Sequence, residues 1–490
     1  MTEFGEKADA YIINTCAITQ VADQKSGKAV RGAIKRAPGA VVIVTGCYAR
    51  TGIDKLRNIP GVRLIVENKD KMSIPDLARD LIGSRVKEAG DAPAYADPRG
   101  GGEFADDESD FSAPRADAGT STDTNAVKGL DRTRGSIILQ NGCRQFCSYC
   151  VIPHVRDELY DATIEDAMAR AASLAARGYI EITLLGINLG AYGMSGVAAP
   201  GALDPKRDKE FKDSTEGALM PVRRVPGLAA PGAGKNLADI FRRLLEAFPG
   251  TRFRLGSVEP MEVTQELVEL IREYPNARKH LHMPLQSGCD RILRLMNRNY
   301  TAAEYREKTR MIRALIPDIA ITTDVMAGFP GETEDEHRLS MAFAREMAFS
   351  QIHVFAYSRR PGTPAALMPG QLKNAVKDRR SGEFISLGKD MRERYGDSWI
   401  GRPQEVILEM ELEDGSWYGH SDNYMEVIYT PENEAELIHV TDASRNFHDT
   451  RALGESRAMP GLQGAVLSLI ISGRSPVRKG AWQGKLGRAR

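Results

Sequence analysis

The sequence predicts an α/β protein with three folded parts: an open α/β sheet domain, a partial (β/α)6 barrel and a small antiparallel β-barrel. Three observations support this. Apolar strand-like segments alternate with helix-periodic segments through most of the chain, which indicates parallel sheets. Short strand patterns separated by glycines follow near the carboxyl end. At 490 residues the chain is also longer than one ordinary domain.

The first part, residues 1–90, reads as an open sheet with helices. We predict strands at 8–16, 40–47 and 62–67, and helices at 22–36 and 74–82. The first two strands end in Cys16 and Cys47. In an open α/β sheet, ligands bind at the carboxyl edge, so both cysteines are candidate site residues. Ordinary buried thiols at strand ends are an equally good interpretation.

Residues 91–131 are rich in Gly, Asp, Ser, Ala and Thr and contain few large apolar residues. We interpret them as a flexible acidic linker, because such a composition cannot bury a core. A domain boundary is therefore expected between the first and second parts.

The second part, residues 132–375, shows about six strand and helix repeats, interrupted by a Pro- and Gly-rich insertion at 194–235. Repeats of this kind favour a partial barrel with its working residues at the carboxyl ends of the strands. The predicted strands are 136–139, 181–185, 252–255, 280–285, 320–326 and 351–355. The predicted helices are 163–177, 237–247, 265–273, 302–315 and 334–347.

A charged connecting helix is predicted within 376–400, and a small barrel over 401–473, with strands at 404–410, 424–429, 436–440 and 464–472. Such barrels commonly bind RNA by shape and charge. The tail 474–490 contains six basic residues and no acidic one, so it is either a phosphate-binding segment or a solvated tail. Its basic residues are Arg474, Arg478, Lys479, Lys485, Arg488 and Arg490.

Composition favours a soluble, cytoplasmic protein. Lys plus Arg and Asp plus Glu both number 66, and only six cysteines are present, three of them clustered. Such cysteine usage fits metal ligation in a reducing compartment better than a disulfide framework. The amino terminus resembles no secretory signal, and no apolar run is long enough to span a membrane.

The clustered cysteines are the most informative feature of the chain. Cys143, Cys147 and Cys150 have the spacing C-x3-C-x2-C, with Tyr149 before the last. Three thiolates can hold three corners of a four-iron cluster and leave one iron open to an outside ligand. The competing interpretation is a zinc site, for which His154 is the available fourth ligand. An iron cluster makes the protein brown, whereas zinc leaves it colourless.

This cysteine motif resembles that of radical S-adenosylmethionine enzymes. The resemblance implies that the cofactor's methionine end chelates the open iron and that an electron from the cluster cleaves it to a 5′-deoxyadenosyl radical. Tyr149 is then expected against the adenine. Polar or small residues at strand ends are candidates for further cofactor contacts, namely Gly186, Asn188, Glu259 and Gln286.

Further motifs make nearly the whole chain similar to the methylthiotransferase family: NTC at 14–16, GCY at 46–48, LGINLGAYG at 185–193, HMPLQSGCDRILRLMNR at 282–298 and GFPGET at 328–333. The resemblance implies two [4Fe-4S] clusters, with the auxiliary one on Cys16 and Cys47, and a carboxyl-terminal TRAM barrel that grips RNA. One S-adenosylmethionine supplies the radical and another the methyl group. An electron donor such as flavodoxin or ferredoxin is expected, and the sulfur source is left open.

The segment HVFAYSRRPGTPAALMPGQ at 353–371 resembles the branch that modifies C2 of N6-threonylcarbamoyladenosine at position 37 of tRNA. The alternatives are the branches that act on isopentenyladenosine in tRNA or on an aspartate of a ribosomal protein. A catalytically impaired tRNA-binding relative is the alternative of another class. Arg359 and Arg360 are candidates for RNA contacts, with a solvated surface pair as the other interpretation. No general base is assigned.

Three departures from the family pattern stand out. The resemblance implies three amino-terminal cysteines for the auxiliary cluster, whereas only Cys16 and Cys47 occur here, and the family's first strand and helix have no counterpart. Either the sequence is truncated and the protein is longer, or this form lacks that strand and one cluster ligand. Cys289 is a weak candidate for a replacement ligand. Acidic residues Asp157 and Glu158 follow the triad where relatives carry glycine and basic residues. The insertion 194–235 has no assigned role.

Overall fold

A computed structural model describes residues 7–16, 20–88, 133–156, 159–194, 236–431, 464–476, 478 and 480–486. The chain forms two compact units, Met1–Lys128 and Gly129–Arg490. Several sequence features lie outside the described residues: the linker 91–131, the insertion beyond residue 194, Asp157, Glu158, the predicted strand 436–440, Lys479, Arg488 and Arg490.

The first unit contains a three-stranded parallel sheet of order β1-β2-β3. Its elements are β1 Ala10–Thr15, α1 Gln20–Arg36, β2 Val41–Gly46, α2 Cys47–Thr51, α3 Ile53–Arg57, β3 Val62–Ile65 and α4 Ile74–Glu88. All six residues of β2 are buried, as its apolar sequence VVIVTG predicts for a central strand. One expectation is corrected here: Cys47 begins α2 instead of ending β2, because Gly46 adopts a positive φ of 99° and turns the chain. In the described residues β1 is an edge strand.

The described part of the second unit contains six parallel strands in chain order: β4 Arg134–Asn141, β6 Glu181–Gly186, β7 Arg252–Leu255, β8 His280–His282, β9 Ala320–Ala327 and β10 Gln351–Ala356. They form two hydrogen-bonded groups, β4-β6-β7 and β8-β9-β10. Isolated bridges connect the two groups, from Phe253 to Ala277 and from Ser257 to His282. A short strand, β5 Tyr160–Asp161, pairs antiparallel with β4 and was not predicted.

The helices of this unit are α5 Ile152–Val155, α6 Ile164–Ala176, α7 Leu237–Ala247, α8 Gln265–Glu273, α9 Asp290–Leu295, α10 Ala302–Leu315, α11 Glu334–Met347, α12 Pro364–Leu367 and α13 Asn374–Asp397. Three of them, α7, α10 and α11, begin with a capping box, which explains why sequence predicts their first residues correctly. The predicted strand 280–285 is shorter than expected, and α9 was missed. None of the helices in the described ranges is long and apolar enough to cross a membrane.

Five strands close the carboxyl-terminal barrel in the order β11-β12-β13-β15-β14. They are β11 Pro403–Glu411, β12 Trp417–Ser421, β13 Glu426–Tyr429, β14 Val466–Arg474 and β15 Trp482–Leu486. β12 and β15 were not predicted. The barrel is also not wholly antiparallel, because β13 and β15 pair in parallel.

The interpretation of 474–490 as a basic tail is wrong for its described residues. Arg474 ends β14 and forms ion pairs with Glu393 and Asp397, and Lys485 lies within β15. β15 is needed to close the barrel, and its Trp482 is a buried core residue. A strand at the chain's end escapes prediction because its apolar residues, Trp482 and Leu486, are few.

The barrel is attached near the amino ends of the parallel strands by buried charges. Glu181, the first residue of β6, forms ion pairs with Arg134 and Arg254, at 3.0 and 2.8 Å. Both guanidinium groups also lie over the ring of Tyr424 from the barrel. Arg134 pairs further with Glu409 of β11 at 2.7 Å. The opposite, carboxyl ends of these strands therefore remain available for a site.

Candidate functional site

The cysteine triad lies in the loop that follows β4 at the carboxyl edge. Cys147 is buried, and Cys143 and Cys150 are partly buried. Backbone amides of Gln145 and Ile152 donate hydrogen bonds to Cys143 Sγ and Cys150 Sγ, both at 3.4 Å. Burial, followed by the neighbouring Cys147, raises the pKa of the Cys143 thiol. An iron cluster binds cysteines as thiolates, which N–H donors stabilise. Ligation would therefore displace the thiol proton of each cysteine.

The loop is held in place by residues from the turn after α9. The backbone amide and hydroxyl of Ser148 donate to the carbonyl oxygens of Met296 and Leu295, at 3.0 and 2.7 Å. Asn297 donates to the carbonyl of Phe146 at 2.9 Å, and Phe146 has a positive φ of 47°. The conformation of the triad therefore depends on a segment about 150 residues later in the chain.

Arg298 is a site residue that the sequence analysis missed. Its Nη1 lies 3.3 Å from Cys147 Sγ, its Nη2 pairs with the Glu259 carboxylate, and its Nε donates to the Tyr300 hydroxyl. The Arg298 side chain is buried, with 4% of its surface exposed, and that of Glu259 is partly buried, with 15% exposed. A buried guanidinium beside a thiolate favours the charged sulfur. Arg298 is the last residue of the motif at 282–298. Its contact with Cys147, 151 residues earlier in the chain, leaves no signal in the sequence.

Tyr149 lies beside this ion pair and packs against an apolar cluster that includes Phe329, Tyr357 and Cys289. Burial and the adjacent Cys147 raise its pKa well above the ordinary value, so the phenol is neutral. Glu259 was expected to contact the cofactor. Its carboxylate is already engaged by Arg298, so it acts first as that residue's partner.

A second polar group lies where β6 and β7 end. The Asn188 amide nitrogen donates to Glu262 Oε1 at 3.0 Å, and its backbone N–H donates to Gln140 Oε1 at 2.9 Å. Asn188 Oδ1 and Glu262 Oε2 are buried, and neither has a hydrogen-bond partner among the described residues. Burial, with the nearby Glu259, raises the pKa of Glu262 to about 8. Unpaired buried polar atoms are unfavourable, so this group fits a ligand that brings donors.

The other predicted cofactor residues are well explained by geometry. A Cβ on Gly186 would stand 2.7 Å from the Leu189 backbone, so only glycine fits there. Gln286 has a positive φ of 61°, and its backbone bonds to Asp324 and Met326 on β9. Gln286 is thus placed on the carboxyl side of the sheet, and it is buried, with 9% of its surface exposed.

The two predicted RNA-contacting arginines have different environments. Arg359 is exposed, and its Nε donates to the Ala366 carbonyl at 2.7 Å. Arg360 is buried, with 4% of its surface exposed, so the interpretation of both as a solvated surface pair is wrong. Arg360 belongs to the packing of the loop before α12.

In the first unit, Cys16 and Cys47 follow neighbouring strands. The last paired residues of β1 and β2 are Thr15 and Gly46, and each cysteine is the next residue. Cys16 is exposed and Cys47 is buried. Parallel pairing therefore places both at one edge of the sheet. Cys289 is buried in the second unit, where its thiol lies 3.7 Å from Glu336.

The triad fits an iron cluster better than a single ion. Across the described ranges, no three His, Cys, Asp or Glu side chains converge as ligands of one metal ion. The corners of a four-iron cluster lie farther apart than the ligands of zinc. The three sulfurs, each with an N–H group nearby, are suitable ligands for a cluster. Asn188 Oδ1 and Glu262 Oε2, which have no partner among the described residues, could accept hydrogen bonds from an amino acid-like cofactor.

Comparison with known proteins gives matches over most of the chain. Residues 137–344 match the radical SAM superfamily, and residues 1–67 match the uncharacterized protein family UPF0004. The threonylcarbamoyladenosine tRNA methylthiotransferase MtaB of Bacillus subtilis is 31% identical over 87% of this chain and 83% of its own length. MtaB of Thermotoga maritima is 29% identical over 85% and 81%. A tRNA-2-methylthio-N(6)-dimethylallyladenosine synthase of a Mycobacterium species (strain JLS) is 34% identical over 82% and 70%.

Proposed function

The chain belongs to the radical S-adenosylmethionine methylthiotransferases, and we propose that it methylthiolates C2 of N6-threonylcarbamoyladenosine at position 37 of tRNA. The observation that carries this proposal is the triad of Cys143, Cys147 and Cys150 with its supporting donors, at the carboxyl edge of the parallel strands. Two relatives named for this substrate match more than four fifths of the chain.

The triad cysteines would hold the radical cluster, which supplies one-electron cleavage of S-adenosylmethionine when bound. Arg298 stabilises the Cys147 thiolate and is itself neutralised by Glu259. Tyr149, neutral and half-buried, offers a flat apolar surface to an adenine. Asn188 and Glu262 offer two acceptor oxygens to the cofactor's ammonium or hydroxyl groups. With a pKa raised to about 8 by burial, Glu262 is largely protonated at neutral pH before a ligand binds, and it would ionise beside a cation.

We assign the auxiliary cluster to Cys16 and Cys47, whose edge placement in the first unit supports the proposal. A further ligand and the sulfur source are not assigned. The carboxyl-terminal barrel is proposed to be a TRAM module that holds the tRNA. An electron donor such as flavodoxin or ferredoxin and a cytoplasmic location follow from the proposed reaction.

The first experiment counts clusters. Iron and sulfide per chain are measured after anaerobic reconstitution, for the wild type and for a variant with alanine at Cys143, Cys147 and Cys150. About eight irons falling to about four supports two clusters. About four falling to none supports the radical site alone, and the chain would then cleave its cofactor without inserting sulfur. A wild type that binds zinc and no iron overturns the proposal.

The second experiment identifies the substrate. Two otherwise identical tRNAs, one with N6-threonylcarbamoyladenosine and one with isopentenyladenosine at position 37, are incubated with the reconstituted enzyme, cofactor and dithionite. Mass spectrometry of the digested nucleosides measures methylthiolation. Product from the first tRNA supports the proposed branch, whereas product from the second alone moves the enzyme to the isopentenyladenosine branch.

A further inference from the structure

Polar side chains line the inner face of strands β8, β9 and β10 below the triad. Side chains alternate along a strand, and Ile352 of β10 faces outward, where it packs at Gly388 of α13. His353 and Phe355 therefore face the opposite side, toward the space that the six strands partly enclose. Both are exposed, so this space is open to a ligand.

His353 shares this face with His282 and Asp324. The ring centroids of His353 and His282 are 5.7 Å apart, and His353 is the register partner of Asp324. His282 is already engaged: its Nδ1 lies 2.9 Å from Thr322 Oγ1, and its Nε2 lies 3.4 Å from Asp324 Oδ1. His353, by contrast, makes no hydrogen bond with any residue that the structure describes. It is an available donor next to a partly engaged carboxylate.

We infer that His353 and Asp324 recognise the N6 substituent of the modified adenosine, with His353 donating a hydrogen bond to its carboxylate and Asp324 accepting from its hydroxyl or urea N–H. This inference rests on the proposed function and deepens it. A threonylcarbamoyl group carries both an anion and several donors, and a histidine beside an aspartate complements both. An isopentenyl group is hydrocarbon only and would leave both protein groups unpaired.

The height of His353 along the strand fits this role. It lies three residues before the end of β10 at Ala356, or about 10 Å below the carboxyl edge that carries the triad. C2 and the N6 substituent leave the purine at different atoms of its six-membered ring. A purine with C2 near the rim can therefore place its N6 arm deeper between the strands, beside His353.

The test uses the full reconstituted enzyme and three versions of one tRNA. The first carries N6-threonylcarbamoyladenosine, the second has its carboxylate capped as the methylamide, and the third carries isopentenyladenosine. KM and kcat for methylthiolation, and Kd for each tRNA, are measured for wild type, His353→Phe and His353→Gln. Gln351→Leu is the matched control, because Gln351 lies on the same strand and face, two residues nearer the amino end.

We expect wild type to prefer the acid over its methylamide by about tenfold or more in KM and Kd, as for a hydrogen bond to a charged group. His353→Phe should raise both constants for the acid about tenfold and leave those for the methylamide unchanged. In His353→Gln, which keeps a donor, part of the preference should return. In the control Gln351→Leu, 5′-deoxyadenosine formation without tRNA should be unchanged.

Equal KM and Kd for acid and methylamide in wild type overturn the inference, and so does a rise in His353→Phe that is the same for both. If wild type modifies the threonylcarbamoyl tRNA but has the same KM and Kd for the acid and the methylamide, only the inference fails. If wild type modifies only the isopentenyl tRNA, the proposed function fails as well. If no tRNA is modified, the comparison of Kd for the acid and methylamide tRNAs, in wild type and in His353→Phe, decides whether the inference holds.

Discussion

Replacing Glu181 by glutamine tests whether buried charges hold the carboxyl-terminal barrel to the parallel strands. The Glu181 side chain is 1% exposed and forms ion pairs with Arg134 and Arg254, which also contact Tyr424 of the barrel. In Glu181→Gln the shape is kept, but two guanidinium groups lose a shared anion. Arg134 retains its ion pair with Glu409, whereas Arg254 retains a hydrogen bond to the Asp422 carbonyl and its contact with the Tyr424 ring, but no carboxylate of its own.

Removing one member of a buried ion pair typically lowers the free energy of unfolding by about 3–5 kcal/mol. We expect a loss of about 3 kcal/mol, because Glu409 still compensates Arg134. The matched control is Glu273→Gln. Its ion pair with Arg272 is exposed, with side chains 54% and 44% accessible, and such pairs contribute under about 1 kcal/mol.

Tryptophan fluorescence during urea unfolding is a direct assay. All three tryptophans, Trp399, Trp417 and Trp482, lie in the barrel core, so their emission reports on the barrel. A midpoint for Glu181→Gln no lower than that of Glu273→Gln would refute the proposed role of the buried charges.

The pH dependence provides an independent check. Burial alone would raise the pKa of Glu181, but Arg254 and Arg134 lower it far below its ordinary range. A carboxyl with a depressed folded-state pKa stabilises fully above its unfolded pKa of about 4.3 and loses that stabilisation as pH falls toward the folded value. The difference between wild type and Glu181→Gln should thus be constant from pH 7 to about pH 4.5 and shrink below it. A difference that grows on acidification would contradict the assignment.

Three further predictions concern the clusters and the barrel. Cys147→Ala should abolish 5′-deoxyadenosine formation, because it removes a triad ligand; persistent cleavage would sink the triad assignment. Cys47→Ala should leave that cleavage intact and stop methylthiolation of tRNA, and unchanged methylthiolation would remove Cys47 from the auxiliary site. Gly396→Ala should lower the free energy of unfolding by about 1–3 kcal/mol, and with it the urea midpoint, because the added Cβ would stand 1.9 Å from the Trp482 ring. Helix propensity alone predicts a gain of about 1 kcal/mol, so the sign of the change decides.

Much of the fold was predictable because local pattern and final structure agree. The helices α7, α8, α10 and α11 begin and end where periodicity and caps place them. Strand β7 also has its predicted bounds. By contrast, β12 and β15 were missed. These short strands owe their pairing to barrel closure, and few of their own residues are apolar enough to form a pattern.

The candidate site divides in the same way. The triad was evident from spacing alone, because three cysteines within eight residues predict a metal centre, for which an iron cluster was favoured over zinc. Arg298 and Glu262 were not, since each acquires its role from contacts with residues more than 70 positions away in the chain. The interpretation of Arg359 and Arg360 as a solvated surface pair was wrong, because Arg360 is buried while its neighbour Arg359 is exposed.

Sequence by itself determined the chemistry available to this protein: three closely spaced cysteines, the alternation of strands and helices, and the family to which these motifs belong. Ligand spacing and hydrophobic periodicity are local properties, so they survive without the fold. Tertiary structure alone decided which charges are buried, which described polar atoms lack partners within the described residues, and that the ring of His353 on β10 meets that of His282 on β8 across the intervening strand β9. Those properties depend on residues brought together from distant parts of the chain, where desolvation and not sequence position sets their energies.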